Sequence, residues 1–191
     1  MYKSMTSLLQ EKGNGDFKIQ HFTITDDNFR AMMDGILPGE YVRLIRNSTC
    51  IMSDTEMEKR TNSRFCRDAH GDILVGGLGI GMILMAIQDK KEVKSITVLE
   101  KFPEIIEIVG KQLPLNEKVT IINTDVFEYK TNQKFDCIYM DIWNYVNNDV
   151  YEEMKKLKRK YGHYLKPLQE SPKRFNCCWA EYYAKNNRRL R

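Results

Sequence analysis

A glycine-rich turn is the first feature of the sequence whose residue types and spacing could do chemistry. It reads Val75-Gly76-Gly77-Leu78-Gly79-Ile80-Gly81 and ends a short apolar run over residues 72–75. Glycines at such a turn let the backbone pass close to a ligand and open a helix N-terminus toward it. The dinucleotide-binding fingerprint needs glycines at steps of two and three residues, and Met82 and Leu84 stand where its last glycine belongs. The GxGxG pattern therefore predicts a ligand-binding turn. The alternative is a turn that only connects a strand to a helix.

Acidic residues follow the next three apolar runs along the chain. Glu100 comes directly after residues 95–99, Asp125 follows residues 119–122, and Asp141 comes directly after residues 135–140. If these runs are parallel strands, their carboxyl ends meet at one edge of the sheet, beside the glycine turn. The glycine turn and these three acids are four features at the ends of successive strands, and together they form a more specific pattern than any one of them alone.

Each of these acids has a chemical interpretation and a structural one. A carboxylate in the position of Glu100 can accept both hydroxyls of a ribose, and Asp125 can accept an adenine amino proton with Val126 or Phe127 against the ring. Asp141 can orient or deprotonate a nucleophile. The structural alternatives are a solvated strand end for Glu100, a turn cap for Asp125 and a helix N-cap for Asp141.

This ordered set resembles the class I S-adenosylmethionine-dependent methyltransferases over about residues 70–145. The resemblance implies a transferase that binds S-adenosylmethionine and transfers its methyl group by in-line displacement at the sulfonium, with an acceptor that no motif identifies. It implies that Gly77, Gly79 and Gly81 pack on the methionine and ribose end, that Glu100 binds the ribose hydroxyls and that Asp125 lies near the adenine. Asp141 is the best-placed group to act as the catalytic residue. The cofactor-binding residues are then Gly76, Gly77, Leu78, Gly79, Gly81, Glu100, Asp125 and Val126, and no metal site is expected.

The segment upstream of the glycine turn resembles the spermidine synthase branch of that superfamily. A predicted hairpin ending near Met52-Ser53-Asp54-Thr55-Glu56 and a helix precede the turn, as in those enzymes and in similar short phage and bacterial proteins. The Asp-x-x-Asp-Pro pattern of spermidine synthases is absent, because Asn144 stands in the place of the second acid. Aminopropyl transfer is therefore the alternative activity, and a non-catalytic adenosyl- or nucleic-acid-binding protein is a third hypothesis.

The predicted elements place the four features on one sheet. Apolar runs alternating with helical segments predict an α/β fold, a Rossmann-like doubly wound and mostly parallel sheet that is shortened at its C-terminal end. An N-terminal β-hairpin and C-terminal helices flank it. We predict a loose arm at residues 1–21, helices at 27–34, 54–69, 82–88 and from Pro103, a hairpin at 40–52, strands at 72–75, 95–99, 119–122 and 135–140, and final helices at 147–161 and 172–190.

Length and composition set the class of protein. The 191 residues, with 42% hydrophobic and 29% charged side chains, suit one globular domain and exclude wholesale disorder. We divide it into residues 1–69 (arm, hairpin and helix), 70–145 (cofactor-binding core) and 146–191 (basic helices of the same domain). Five scattered cysteines without CxxC spacing argue against a zinc site and favour reduced thiols in the cytoplasm. No apolar run approaches a membrane span.

The positive charge is concentrated at the C-terminal end. The chain carries a net charge of +4, but residues 151–191 alone contain 12 basic and 4 acidic side chains, a net charge of +8. A solvated helix face is one interpretation of this segment, and contact with nucleic acid is the other. Apolar side chains in the same segment make a homodimer a further prediction.

Overall fold

A computed structural model describes residues 2–33, 35–188 and 190 of the chain. An antiparallel sheet occupies the N-terminal part and a parallel sheet the remainder. The strands are β1 (Lys12–Asn14), β2 (Phe17–Ile24), β3 (Gly39–Arg46), β4 (Thr49–Ser53), β5 (Gly71–Gly76), β6 (Val93–Glu100), β7 (Val119–Asn123), β8 (Cys137–Met140) and β9 (Phe175–Cys178). The helices are α1 (Phe29–Met33), α2 (Glu56–Asp68), α3 (Met82–Ile87), α4 (Pro103–Ile105), which continues as a π-helical turn (Ile106–Gly110), α5 (Asn148–Gly162) and α6 (Glu181–Lys185). Over the described residues, none of the helices combines the length and apolar character needed to cross a membrane.

The parallel sheet has the strand order β7-β6-β5-β8-β9. Its central strand β5 is apolar and almost wholly buried, as expected where helices cover both faces of a sheet. Residues of α2 and α3 pack on one face, and residues of α5 pack on the other. The predicted Rossmann-like, doubly wound α/β fold is confirmed. The sheet is short, with five strands in the described part of the chain.

The N-terminal segment is more ordered than the sequence suggested. Residues 1–21 were predicted to be a loose arm, and this was wrong, because they contain β1 and the first part of β2. Phe17 and Ile19 alternate with polar residues and are buried, which fixes the register of β2 against β3. The hairpin predicted at 40–52 is present as β3 and β4. The short helix predicted at 27–34 is α1, and Asp34 lies outside the described residues.

The C-terminal segment contains a strand that the sequence analysis missed. A helix was predicted over residues 172–190, but Phe175–Cys178 form β9, which pairs in parallel with β8, and only Glu181–Lys185 are helical there. The physical reason is that β9 is short and pairs on one side only. It therefore lacks the continuous apolar run that marks a strand such as β5.

Helix α2 links the N-terminal segment to the parallel sheet. It leads directly into the start of β5, so its first turn lies near the carboxyl ends of the strands. Its Phe65 ring stacks on Tyr139 of β8, with ring centroids 4.1 Å apart. One turn earlier, the buried Asn62 accepts a hydrogen bond from the Tyr139 hydroxyl at 2.7 Å. These contacts fix α2 across β8.

Candidate active site

The glycine turn connects β5 to α3 at the carboxyl edge of the parallel sheet. Gly77, Gly79 and Gly81 have φ angles of +95°, +53° and +74°, in the region that L-residues with side chains rarely adopt. A Cβ at Gly77 would collide with the carbonyl oxygen of Asp141, and a Cβ at Gly81 would collide with the side chain of Leu113. Both the backbone conformation and the close packing therefore require glycine in this turn.

Glu100 ties the end of β6 to the glycine turn. Its side chain is 5% exposed, and its two oxygens accept hydrogen bonds from the backbone N–H groups of Leu78 and Phe102, each at 2.9 Å. Burial raises the pKa of Glu100, and these backbone donors oppose the shift. Because each carboxylate oxygen has a second lone pair, the group can still accept hydrogen bonds from hydroxyls.

Asp125 follows β7 and is held by two partners. Its carboxylate accepts a hydrogen bond from the backbone N–H of Phe127 at 2.8 Å and pairs with Lys101 at 2.9 Å. Burial acts to raise the pKa of Asp125, but these contacts outweigh it and hold the pKa below its usual value. Val126 is buried in the core cluster that contains α5, close to Gly76. Lys101, which the sequence analysis did not single out, therefore bridges the neighbouring ends of β6 and β7.

Asp141 lies directly after β8, next to the glycine turn. It is partly buried, and burial raises its pKa to about 7. A cavity of about 10 Å³ lies between Asp141, the turn residues 77–79 and Met52. That volume suffices for about one water molecule. The sulfur of Met52 occupies the space beside Gly79, so the side chain of Met52 closes this part of the edge.

The structure thus brings the four predicted strand ends together at one edge, and it adds residues that the sequence analysis missed. Besides Lys101 and Met52, the most informative is Glu58 in the first turn of α2, which is 6% exposed. The sequence could have identified Glu58 by its spacing, because a residue four and seven positions before Asn62 and Phe65 lies on the same face of the helix. A charged side chain on the face that packs against a sheet is the unusual observation here.

A wider groove lies at the opposite edge of the sheet. It has a volume of about 1400 Å³ and is lined by residues near the strand starts, among them His70, Asp136 and Phe175. Cys177 faces this groove from β9, but burial raises the pKa of its thiol to about 12, so the thiolate is not formed near neutral pH. Ligands of open α/β sheets bind at the carboxyl ends of the strands, and we place the candidate site there.

Comparison with known proteins gives similarity of overall structure only. No protein-family model matches the sequence. No curated protein matches it either. Among solved structures, the N-methyltransferase NodS from Bradyrhizobium japonicum WM9 aligns with a TM-score of 0.47 and 18% sequence identity, over 60% of this chain and 65% of that one. The DhpI-SAM-HEP complex aligns with a TM-score of 0.44 and 19% identity, over 56% of this chain and 49% of that one.

The plantazolicin methyltransferase BpumL, in complex with SAH, is a further example. It aligns with a TM-score of 0.43 and 18% identity, over 58% of this chain and 48% of that one. The alignments therefore span between about half and two thirds of the length of these structures. Similarity at this level assigns no activity to the chain.

Proposed function

We propose that the protein is an S-adenosylmethionine-dependent methyltransferase. The observation that carries the proposal is the position of Glu100. It is a buried carboxylate at the end of the second parallel strand from the sheet edge, joined by a hydrogen bond to a glycine turn that follows the neighbouring strand. That arrangement suits a ligand that carries a ribose at a topological switch point of an α/β sheet.

The residues at this edge fit most of the cofactor. Glu100 can accept the ribose hydroxyls through its free lone pairs, and the glycine turn lets the backbone lie close to a ligand at this edge. Asp125 can accept the adenine amino group once Lys101 gives up its ion pair, which is on the surface and therefore weak. The methionine end needs the space that Met52 fills, and a flexible thioether side chain can move aside at low cost.

The chain's own residues then account for the chemistry. The bound cofactor supplies a methyl group that its sulfonium already activates, so the protein mainly has to align the reactants and exclude water. Glu100 and the glycine turn fix the position of the cofactor. Asp141, at the end of β8 with a pKa of about 7, orients the acceptor or takes its proton.

Calorimetric titration with S-adenosylmethionine and S-adenosylhomocysteine tests the proposal. Glu100→Gln removes the charge while keeping the shape, and we expect it to weaken binding about tenfold or more, the value of hydrogen bonds to a charged group. Glu117→Gln is the matched control, since Glu117 is exposed and lies in the loop before β7. Absence of heat from folded wild-type protein at millimolar ligand would refute the proposal. Equal affinities of the two variants would remove the role of Glu100.

The reaction product distinguishes a spermidine synthase-like enzyme, which transfers an aminopropyl group, from a methyltransferase. The support for such an enzyme is the antiparallel sheet and helix α2 that precede the glycine turn. Incubation with decarboxylated S-adenosylmethionine and putrescine, followed by mass spectrometry, separates aminopropyl from methyl transfer. We expect no spermidine, because Asn144 replaces the second acid of the spermidine synthase pattern.

The location and partners of the protein remain predictions. A cytoplasmic location is supported by free thiols on all five cysteines, each in the described part of the chain. Nucleic-acid binding is not part of the proposal, because several basic side chains of the C-terminal segment have partners. Lys158 pairs with Glu181, and Lys160 donates to the carbonyl oxygens of Val126 and Phe127. Arg189 and Arg191 lie outside the described residues. A homodimer stays a prediction.

A further inference from the structure

Glu58 is a buried carboxylate for which the fold provides no cation. It is 6% exposed, and among the described residues no ion pair involves its carboxylate. The indole N–H of Trp179 donates to Thr61 at 3.0 Å and also lies close enough to Glu58 to oppose the effect of burial on its pKa, but it carries no charge. Lys59, the next residue in the chain, pairs instead with Glu56 at 3.0 Å. Burying a carboxylate in this way is costly unless it stays protonated or meets a positive charge.

The packing of α2 on β8 brings Glu58 to Asp141. Phe65 and Asn62 both contact Tyr139, and Glu58 lies one further turn toward the carboxyl edge on the same face of the helix. Asp141 is two residues after Tyr139, so its side chain leaves the strand on the same face of the sheet. Among the described residues, the carboxylate of Asp141 has no hydrogen-bond donor or ion-pair partner either. The two acids therefore lie in one region between α2 and the end of β8, where the charge of Asp141 acts on Glu58.

The groups whose charges couple to that of Glu58 are Tyr2 and Cys50 from the N-terminal segment, and Tyr139 and Asp141 from β8 and its end. Arg43 acts on Cys50 but donates its own hydrogen bond to Gln20 at 2.8 Å. Burial, followed by the charge of Asp141, raises the pKa of Glu58 to about 8. Near neutral pH the two acids therefore hold about one proton between them, which a bound cation would displace.

The rim of the site is apolar. Ile142 and Tyr145, in the loop after β8, are 37% and 57% exposed. Ligand sites are lined mainly by apolar side chains around a few polar groups, and Ile142 lies against Gly77 of the glycine turn. This rim adjoins Asp141, so a ligand whose cation reaches the acids would lay an apolar portion against these residues.

We propose that Glu58 and Asp141 together bind the ammonium group of the acceptor, and that the acceptor is a primary amine with a single positive charge on an apolar body. This inference rests on the proposed function, and it names the acceptor class for the same site. Binding of the ammonium group releases the proton of the pair to solvent. One ammonium N–H proton can then pass to a carboxylate of the pair, which leaves the neutral amine with its lone pair free. Glu58 lies outside the predicted cofactor-binding core, so helix α2 supplies half of the acceptor site.

The test is calorimetric titration with phenethylamine in the presence of saturating S-adenosylhomocysteine, near pH 7.5. We expect phenethylamine to bind and 3-phenylpropanoate, which has the opposite charge, not to bind. We also expect the heat to vary with the ionisation enthalpy of the buffer, because the pair loses its proton. Glu58→Gln should weaken phenethylamine binding about tenfold or more, whereas Glu56→Gln, in the same turn of α2, should leave it unchanged.

Failure of this inference is distinct from failure of the proposed function. If S-adenosylhomocysteine binds but phenethylamine does not, or if the amine and the carboxylate bind equally, the acceptor assignment is overturned while the methyltransferase proposal stands. If S-adenosylhomocysteine does not bind, the amine titration without it still decides whether the acid pair takes a cation. Tighter binding of butane-1,4-diamine than of phenethylamine would overturn the proposal that the acceptor carries a single positive charge on an apolar body.

The pH dependence of the free energy of unfolding shows whether the Glu58→Gln variant is folded and whether Glu58 is a buried acid. A raised pKa in the folded state means that the folded protein holds a proton that the unfolded chain releases, so stability falls as the pH rises from the ordinary value of 4.5 toward 8. Glu58→Gln should make this decline less steep, and the remaining decline comes from other buried acids such as Asp141, whose pKa is about 7. If the folded variant declines as steeply as the wild type, Glu58 is not the buried acid that we describe.

Discussion

Replacement of Gly77 by alanine should destabilise the protein through two separable effects. The φ angle of +95° strains any residue with a Cβ, which costs about 1 kcal/mol. The new Cβ would also collide with the carbonyl oxygen of Asp141, which is backbone and cannot rotate away. Overpacking of this kind costs about 1–3 kcal/mol. We therefore expect a total loss of about 2–4 kcal/mol in the free energy of unfolding.

Two other glycines separate these effects in the same assay. Gly35 has a φ of +73°, and among the described residues, its chain neighbours aside, no heavy atom lies within 4 Å of the position that a Cβ would take there. Gly35→Ala should therefore report the strain alone, about 1 kcal/mol. Gly162, at the end of α5, has open space and no positive φ, so Gly162→Ala should be neutral or slightly stabilising. Urea unfolding of the three variants measures the differences. A loss at Gly77 no larger than at Gly35 would refute the argument that Asp141 packs against this glycine.

Three further changes test the surroundings of the site. Lys166→Met should cost about 1–3 kcal/mol in the free energy of unfolding at neutral pH. Lys166 pairs with Asp136 at 2.7 Å and, against the effect of burial, holds the pKa of that acid low. In urea titrations the difference from wild type should therefore disappear as the pH falls below 3.8, the ordinary pKa of an aspartate. Tyr139→Phe should cost about 1–3 kcal/mol in the same assay, because it leaves the buried Asn62 oxygen unpaired, and a loss under about 0.5 kcal/mol would contradict this. Met52→Ala should raise the affinity for S-adenosylhomocysteine by vacating the space beside Gly79, and weaker binding in calorimetry would mean that Met52 contacts the ligand.

The sheet and its strand ends could be predicted because their signals are local. The run before Gly76 is continuously apolar because β5 is buried on both faces, and Glu100 is identified simply by ending the next such run. Strand β9 could not be predicted in the same way. It pairs only with β8, and its sequence, Phe175-Asn176-Cys177-Cys178, is too short and too mixed to distinguish a strand from a helix.

The contacts that modify the site were hidden for a different reason. In the sequence, Glu58 is one of several acids in the first turn of a helix, where the helix dipole already explains them. Only the packing of α2 on Tyr139 turns this residue toward Asp141 rather than toward solvent. Lys101 was equally inconspicuous, because its pairing with Asp125 depends on the adjacency of β6 and β7. Such pairings arise from tertiary structure, and no local pattern encodes them.

The position of Glu58 has a consequence for how the two proposed sites depend on each other. The cofactor site is built from the ends of β5, β6 and β7, whereas the acceptor site needs the end of β8 together with α2. Changes that loosen α2 from β8 should therefore weaken amine binding while leaving the affinity for S-adenosylhomocysteine nearly intact. Tyr139→Phe is such a change, since it removes the hydrogen bond to Asn62 one turn from Glu58. Equal losses of both affinities in this variant would mean that the two sites are a single packing unit.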